Sequence, residues 1–461
     1  MARIIYPLIT GNRGVGYWLN IKNLVASRQK YFRVDYSNEW RYEFGSADPP
    51  DRSVELKKLL DRSPNSKTGF KFIVLGDTGE GDESQYGLLP LIREFNPDFI
   101  IINGDVAYPA GRMGTGSDED DFMAGFFQVY QHLDIPIWAT PGNHEYYSSN
   151  NGRDFYDIFC SRKYDKYWSQ FGLKHSILQP GMYWEISDVY GDSKLEIIGI
   201  DSGKSANLDG HNDWWQFWKR KIYPDHTQHK WLDERLRKAE EKNAKVIVLF
   251  HIPALAKEQR IEEHLSTLHQ IISDYNCVKL VLCGHDHNHQ QYSSDIFHRY
   301  LVNEESKRNI TNSSATLMVN GGGGAFLQTT NYNDGEYGSI RYPNREEWIE
   351  YAGWGRNVVS RLGKDKSIIS KVTNFISKDV LSDANEPRYL SFIFIEFNPE
   401  WQTDKINGIR VTPIFMDDLN SLYSCDDTVH VMDKNHHIDS AKVNACRQDS
   451  TSLRGNLEIM I

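Results

Sequence analysis

Five short blocks of the sequence each place side chains that could bind a metal or move a proton directly after an apolar run. Between them the blocks carry carboxylates, a phenol, an amide and imidazoles, and no thiol. The blocks are Gly76-Asp77-Thr78-Gly79, Gly104-Asp105-Val106-Ala107-Tyr108, Gly142-Asn143-His144-Glu145, Phe250-His251 and Gly284-His285-Asp286-His287. Oxygen and imidazole ligands suit metals such as iron, zinc, manganese and magnesium. The residue types therefore indicate a metal site built from oxygen and nitrogen ligands.

Each block has a simpler interpretation when it is taken alone. A Gly-Asp pair after a strand is more often a turn or a helix cap than a metal ligand. A single buried histidine such as His251 is more often a core residue whose hydrogen bonds are satisfied. The glycines at 321–324 lack the Lys-Ser/Thr of a phosphate-binding P-loop, so we interpret them as a loop without a cofactor. Only the whole set of blocks, in order and all at the ends of apolar runs, favours the metal site.

The runs before these blocks have the composition of buried strands. They continue along the chain at 71–77, 99–105, 135–145, 195–203, 245–251, 278–285 and 315–324. Amphipathic stretches at 84–95, 231–244 and 262–275 predict helices between them. Strands that alternate with helices predict an α/β fold, in which the carboxyl ends of the strands face the ligand crevice. The five blocks can therefore meet at one site, with His285 and His287 on one side of a strand end.

The domain organisation predicted from composition has a core at 70–330 with segments added around it. Residues 1–69 are interpreted as an N-terminal extension packed on the core, and 331–387 as an insertion. The aromatic residues of the insertion indicate either a lid or packing against the core. Residues 388–417 predict a hairpin that completes the core, and 418–461 a polar tail.

Bulk composition excludes several classes of protein. The 461 residues, 39% hydrophobic, can bury a large core in one extended domain or in two. A net charge of −11 without a basic stripe argues against a nucleic-acid partner. Five scattered cysteines favour reduced thiols, and no apolar run approaches a membrane span. The apolar stretch at 4–9 is too short for a signal-peptide core, so we expect a cytoplasmic protein; a secreted protein whose signal had been removed would look the same.

The set of blocks resembles the calcineurin-like metallophosphoesterase superfamily, and within it the purple acid phosphatase branch. The resemblance covers roughly residues 70 to 327. Most of the superfamily carries Gly-Asp-x-His at the first block, where this chain has Thr78-Gly79. Protein Ser/Thr phosphatases follow their second Gly-Asp with a motif that ends in Asp-Arg-Gly. Here the second block ends in Tyr108, which matches the tyrosine of purple acid phosphatases.

The resemblance implies a fold and a metal centre. The fold would be a sandwich of two mixed β-sheets flanked by helices. The implied ligands form two sets that share one carboxylate: Asp77, Asp105, Tyr108 and His287 for one metal, and Asp105, Asn143, His251 and His285 for the other. The metals would be Fe(III) paired with Fe(II), Zn or Mn. Because a reducing cytosol disfavours Fe(III), a pair of Mn ions is an alternative.

The implied activity is hydrolysis of phosphomonoesters by a hydroxide held at the metals, with Asp105 and His144 as the catalytic residues. His144 would protonate the leaving oxygen, and Asn143 and His144 would contact the substrate. His264 is a weaker candidate for phosphate binding, because its spacing differs from the corresponding histidine of secreted members. The substrate would be a phosphorylated small molecule, nucleotide or phosphoprotein, with no nucleic acid or membrane involved. Hydrolysis of diesters such as cyclic nucleotides is an alternative activity, and an inactive scaffold of the same fold is a remote one.

Two further features have open interpretations. The aromatic run at 214–218, followed by three basic residues at 219–221, would suit a rim that stacks on an aromatic or nucleotide group. An amphipathic segment that packs its rings on the core is the favoured alternative. His289, just past the last block, is interpreted as a loop residue rather than an extra ligand.

Overall fold

The structure is a computed structural model that describes part of the chain. The described residues are 51–60, 69–79, 81, 83–114, 120–131, 133–147, 152–173, 177–187, 195–203, 226–253, 255–256, 260–261, 265–287, 289–292, 315–325, 391–403, 406–416, 452–454 and 459–460. The predictions for the 331–387 insertion, the 214–218 aromatic run and His264 fall outside these residues.

The described residues form sixteen strands and six α-helices, numbered here along the chain. The strands are β1 (Ser53–Glu55), β2 (Phe70–Leu75), β3 (Phe99–Asn103), β4 (Ile137–Thr140), β5 (Trp184–Ser187), β6 (Leu195–Gly199), β7 (Lys245–Leu249), β8 (Leu255–Ala256), β9 (Arg260–Ile261), β10 (Val278–Cys283), β11 (His289–Tyr292), β12 (Thr316–Asn320), β13 (Ser391–Thr403), β14 (Ile406–Met416), β15 (Ser452–Arg454) and β16 (Ile459–Met460). The helices are α1 (Leu56–Leu59), α2 (Glu83–Phe95), α3 (Arg153–Phe159), α4 (Asp165–Gln170), α5 (His226–Glu241) and α6 (Ser266–Ser273). A π-helical turn covers Met123–Phe127 and a 3₁₀ turn covers His144–Tyr146.

Two mixed sheets carry the fold. The first has the strand order β1-β5-β6-β7-β10-β12-β11, in which β6, β7, β10 and β12 are parallel to one another, β5 is antiparallel to β6, and β11 is antiparallel to β12. The second has the order β15-β14-β13-β2-β3-β4, in which β2, β3 and β4 are parallel. The sheets and the helices outside them are the predicted α/β fold of two mixed sheets.

The near-continuous apolar runs arise because both faces of each sheet are buried. In β2, Phe72 and Val74 face the core between the sheets, whereas Ile73 and Leu75 face the helices outside the second sheet. In the first sheet, Ile247 of β7 faces the inter-sheet core and its neighbour Val248 faces α5 and α6. Successive strand residues point to opposite faces, so burying both requires apolar residues at every position.

Three of the helices were predicted from amphipathic periodicity, and the structure confirms them as α2, α5 and α6. α5 begins at His226, five residues before the predicted start, and α6 is shorter than predicted. Helices α3 and α4 and strands β5 and β11 were not predicted. Among the described residues, no helix is long and apolar enough to cross a membrane.

The ends of the chain contribute strands to both sheets. β1, from the segment interpreted as an extension, pairs in parallel with β5. β13 and β14 form an antiparallel hairpin, and β13 pairs with β2 at the centre of the second sheet. β15 and β16 pair with β14, so the segment interpreted as a polar tail includes two strands of the sheet.

Candidate metal centre

The parallel strands end at one edge of the sandwich, and the five blocks follow them there. The chain turns sharply after three of the strands, because Asp77, Asp105 and His285 have left-handed φ angles of 57°, 50° and 73°. Such angles are uncommon for residues other than glycine and persist where the surroundings hold them. The backbone N–H groups of Asp77 and Thr78 donate to the carbonyls of Gly104 and Asp105 at 3.1 Å each, which joins the first two turns.

One group of potential ligands consists of Asp77, Asp105 and His287, whose ligand atoms lie within 4.8 Å of one another. All three side chains are buried. Tyr108 extends the group, since its Oη lies 3.1 Å from Asp77 Oδ1, 2.9 Å from Asp105 Oδ2 and 3.0 Å from His287 Nε2. A phenol has one proton and can donate to only one of the two carboxylates.

The second group consists of Asp105, His251 and His285. The Nδ1 of His251 lies 3.0 Å from the carbonyl oxygen of Asn103 and donates to it, so Nε2 faces the site. That Nε2 lies 3.1 Å from Asp105 Oδ2 and 3.2 Å from Asn143 Oδ1. The same Asn143 oxygen lies 2.9 Å from His285 Nδ1. The site therefore brings together all seven predicted ligands, with Asp105 common to both groups.

The ligand atoms of the two groups suit two cations. Acceptor atoms that face one another at these distances need a proton or a metal ion between them, since an unpaired buried polar atom costs free energy. Burial opposes a charge on His251, but the charges of Asp105 and Asp77 raise its pKa to about 10. The negative field that would hold a proton there would hold a metal ion more strongly, with release of that proton.

The shared carboxylate is held in its ionised form. Burial opposes the charge of Asp105, but His251 and His144 nearby lower its pKa well below the usual range. Its Oδ1 also accepts the backbone N–H of His144 at 2.9 Å. A carboxylate fixed by its neighbours in this way is suited to bridge two cations.

His144 lies at the side of the site. Its Nδ1 is 2.7 Å from the carbonyl oxygen of Pro109 and donates to it, so Nε2 faces the centre at 3.9 Å from Asp105 Oδ2. Its ring lies between the rings of Tyr108 and Tyr147, with centroids 4.2 and 4.7 Å away. Burial lowers the pKa of His144, and the charge of Asp105 opposes that shift.

Glu145 was not recognised in the sequence as part of the site. Its carboxylate is fully buried and accepts the backbone N–H groups of Asp105, Ala107 and Gly142 at 3.1, 3.1 and 2.7 Å. Burial and the charge of Asp105 raise the pKa of Glu145 to about 8. Glu145 thus ties the second block to the third. Its place beside His144 was the only sequence signal that could have identified it.

The two tyrosines after Glu145 were also missed. Tyr146 Oη donates to Asp201 Oδ2 at 2.5 Å, at the end of β6. Tyr147 Oη accepts from the amide of Asn143 at 2.6 Å. Their sequence position does not show which of them reaches a ligand.

Two histidine predictions need correction. His285 and His287 do not lie on one side of a strand end, because β10 stops at Cys283 and the left-handed turn at His285 sends the two rings to different ligand groups. His289 is not a loop residue: it lies in β11, is buried, and its Nδ1 is 3.1 Å from Asn320 Oδ1.

Comparison with known proteins gives a family match over the residues that form this site. The family model of calcineurin-like phosphoesterases matches residues 70–289. This part of the chain is similar to calcineurin-like phosphoesterases. The matched residues carry all five blocks, and no curated protein matches the chain.

Solved structures similar to this chain include three distant ones. A dimetal phosphatase from Danio rerio is 15% identical, with 54% of this chain and 86% of that chain covered and a TM-score of 0.35. A purple acid phosphatase from yellow lupin (Lupinus luteus) seeds is 12% identical over 77% of this chain and 52% of that one, with a TM-score of 0.40. A protein from Thermus thermophilus is 13% identical over 55% of this chain and 89% of that one, with a TM-score of 0.31.

Proposed function

We propose that the chain is a dinuclear metal-dependent phosphatase of the purple acid phosphatase-like branch that hydrolyses phosphomonoesters. The observation that carries the proposal is the position of Asp105, whose buried carboxylate is common to two groups of ligand atoms. The family match supports phosphoester chemistry, and the two ligand groups support two metals.

Each proposed ligand of the site would hold one or both of the cations. Two bound cations would supply positive charge that neutralises the phosphoryl oxygens and lowers the pKa of a water molecule. Asp77, Tyr108 and His287 would hold one cation beside Asp105, and the three remaining ligands would hold the other. Buried carboxylates supply the negative charge, and His251 is oriented by its hydrogen bond to the Asn103 carbonyl.

His144 is placed to protonate the leaving oxygen. Because Nδ1 donates to the Pro109 carbonyl, the imidazolium form of His144 would hold its transferable proton on Nε2, which points to the centre. Burial lowers the pKa of His144, which favours transfer of that proton to an alkoxide. Asn143 and His144 would contact the phosphoryl group of a small molecule, nucleotide or phosphoprotein.

Tyr108 contacts the carboxylates of Asp77 and Asp105, which supports Fe(III) as the cation that these residues would hold with His287. The other cation would be Fe(II), Zn or Mn. The iron-loaded protein should show a visible absorption band from the tyrosinate ligand, and Tyr108→Phe should lose it. A colourless iron-loaded protein would exclude the purple acid phosphatase-like branch but would not contradict phosphoester hydrolysis.

The reaction is tested with an aryl phosphomonoester and the matching diester, using protein loaded with iron and zinc or with manganese. We expect faster turnover of the monoester and loss of turnover with a chelator. Faster turnover of the diester would favour the phosphodiesterase activity instead. No turnover of either ester by protein shown to contain two metals would reject the proposal.

The bridging role of Asp105 has its own test. Asp105→Asn should lose metal in elemental analysis and lower kcat/KM by at least about 100-fold, because the amide has no charge to share between two cations. Two tightly bound metals in this variant would contradict the bridging role.

A further inference from the structure

The turn that carries Asn143 and His144 also carries Tyr147, a residue to which neither the sequence motif nor the family match gives a role. We propose that Tyr147 is a positioning residue of the metal centre, which fixes the amide of Asn143 and the ring of His144 at the same time. The part that concerns His144 rests on the proposed phosphatase function, whereas the part that concerns Asn143 requires only that the centre binds metal.

The amide of Asn143 can ligate a cation through its carbonyl oxygen only, because the nitrogen has no free lone pair. Oδ1 lies between His251 Nε2 at 3.2 Å and His285 Nδ1 at 2.9 Å, where the second cation would sit. The nitrogen donates to Tyr147 Oη at 2.6 Å on the opposite side. Because a phenol both donates and accepts, the Tyr147 hydroxyl would bond to either end of the amide, and the cation decides which end faces it. Tyr147 therefore fixes the position of the Asn143 side chain in the site.

The ring of Tyr147 contacts the ring of His144. The two ring centroids are 4.7 Å apart, with an interplanar angle of 51°. The ring of Tyr108 also contacts the imidazole, with centroids 4.2 Å apart and an interplanar angle of 49°. The hydrogen bond from His144 Nδ1 to the Pro109 carbonyl fixes the remaining rotation of the ring. Tyr147 is 7% exposed, so its ring is itself held by its surroundings. These contacts keep Nε2 directed at the centre.

Local geometry makes both contacts available to one residue. Tyr147 ends the 3₁₀ turn, and its N–H donates to the carbonyl of His144 at 3.2 Å. Helical geometry brings residues three and four apart to the same side, which places Tyr147 beside both Asn143 and His144. The neighbouring Tyr146 points elsewhere and donates to Asp201.

Tyr146 provides a matched control for the experiment. Tyr146 and Tyr147 are both 7% exposed, and each makes a hydrogen bond through Oη, but only that of Tyr147 reaches a proposed ligand. Metal affinity is measured by titrating Mn²⁺ into metal-free Tyr147→Phe and Tyr146→Phe and following the heat, with thermal unfolding as the check on folding. We expect Tyr147→Phe to weaken one of the two bound Mn²⁺ ions by about 10–100-fold and Tyr146→Phe to bind as the unchanged protein does.

A second variant separates the two contacts. Tyr147→Leu removes the ring as well as the hydroxyl, so at saturating metal it should lower kcat for an ester with a poor leaving group further than Tyr147→Phe does. Unchanged Mn²⁺ affinity in Tyr147→Phe, or an equal loss in Tyr146→Phe, would overturn the role toward Asn143. Equal kcat of Tyr147→Leu and Tyr147→Phe at saturating metal would overturn the role toward His144. If the unchanged protein binds Mn²⁺ but hydrolyses no ester, the phosphatase proposal fails, and the Mn²⁺ titration still decides the role of Tyr147 toward Asn143.

Discussion

At the scale of single residues, the types of the ligands and the contacts that hold them have different origins in the sequence. The ligand types are visible in the blocks, because aspartate and histidine after an apolar run are unusual enough to be noticed. The residues that orient them are less visible. Glu145 accepts three N–H groups from two separate loops, and nothing in its own position predicts the partners. Changing a residue that positions a metal ligand typically costs about 10–100-fold in metal affinity or activity.

His144→Ala tests the proton-transfer role at this scale. We expect the variant to keep both metals and to lose about 10²–10⁴-fold in kcat on a substrate with a poor leaving group, because the alkoxide then departs unprotonated. A substrate with a good leaving group serves as the control and should lose far less. Equal losses on the two substrates would show that His144 acts in binding or structure instead.

At the scale of elements, each strand exit is a tight turn whose geometry leaves little space. The backbone of Gly104, at the end of β3, has φ of +84°, and a Cβ placed there would lie 2.2 Å from the Nδ1 of His251. β3 therefore ends where a side chain would overlap His251, a proposed metal ligand. Glycine is required here because only glycine adopts such a φ without steric cost, and because any Cβ would overlap His251.

Gly104→Ala should consequently lower both the free energy of unfolding and the metal affinity. The left-handed φ and the overlap with His251 together should cost about 2–5 kcal/mol, measured by urea unfolding of the metal-free protein. Gly114→Ala is the control: its φ is +92°, but its Cβ would meet the end of the Tyr164 side chain at 2.9 Å. That variant should lose about 1–2 kcal/mol and keep its metals. Equal metal loss in the two variants would show that backbone strain, and not the overlap, is responsible.

At the scale of the whole molecule, the centre depends on how the two sheets are joined. Asn103, the last residue of β3 in the second sheet, donates from Nδ2 to the carbonyls of Phe250 and Leu282 of the first sheet at 3.2 and 2.9 Å. Its Oδ1 accepts from Thr140 Oγ1 at 2.8 Å. Since Phe250 precedes His251, this buried side chain fixes the distance between the ligands of the two sheets.

Asn103→Leu should therefore destabilise the fold and weaken metal binding together. Removing two donors from buried carbonyls and an acceptor from Thr140 should cost about 2–4 kcal/mol in urea unfolding. Thr140→Val removes only the third hydrogen bond and should cost about 1 kcal/mol without loss of metal. A stability of Asn103→Leu equal to that of the unchanged protein would mean that the sheets are joined by apolar packing alone.

A buried carboxylate outside the site predicts a dependence of stability on pH. Burial and the neighbouring Glu185 raise the pKa of Glu196 in β6 to about 7, although Lys242 opposes this at 3.5 Å. The folded state therefore holds a proton that the unfolded state has released, so the contribution of Glu196 to the free energy of unfolding decreases as pH rises from about 4.5 to about 7. Glu196→Gln should remove this decrease and be more stable than the unchanged protein above about pH 7, on the order of 1–2 kcal/mol. If the free energies of urea unfolding of the two proteins changed with pH in the same way, this role of Glu196 would be contradicted.

Local composition and the two- and 3.6-residue periodicities of strands and helices were enough to predict the α/β class and the strand exits that carry the proposed ligands. The sequence also predicted the hairpin that now pairs with β2 as β13 and β14. Strands such as β5 and β11, the separation of His285 from His287, and the contacts of Glu145, Asn103 and Tyr147 came only from the tertiary structure. Those contacts join residues far apart in the chain, or depend on which way one turn faces. Both are set by the order in which strands pair and by the packing of two sheets, for which a single sequence carries no local signal.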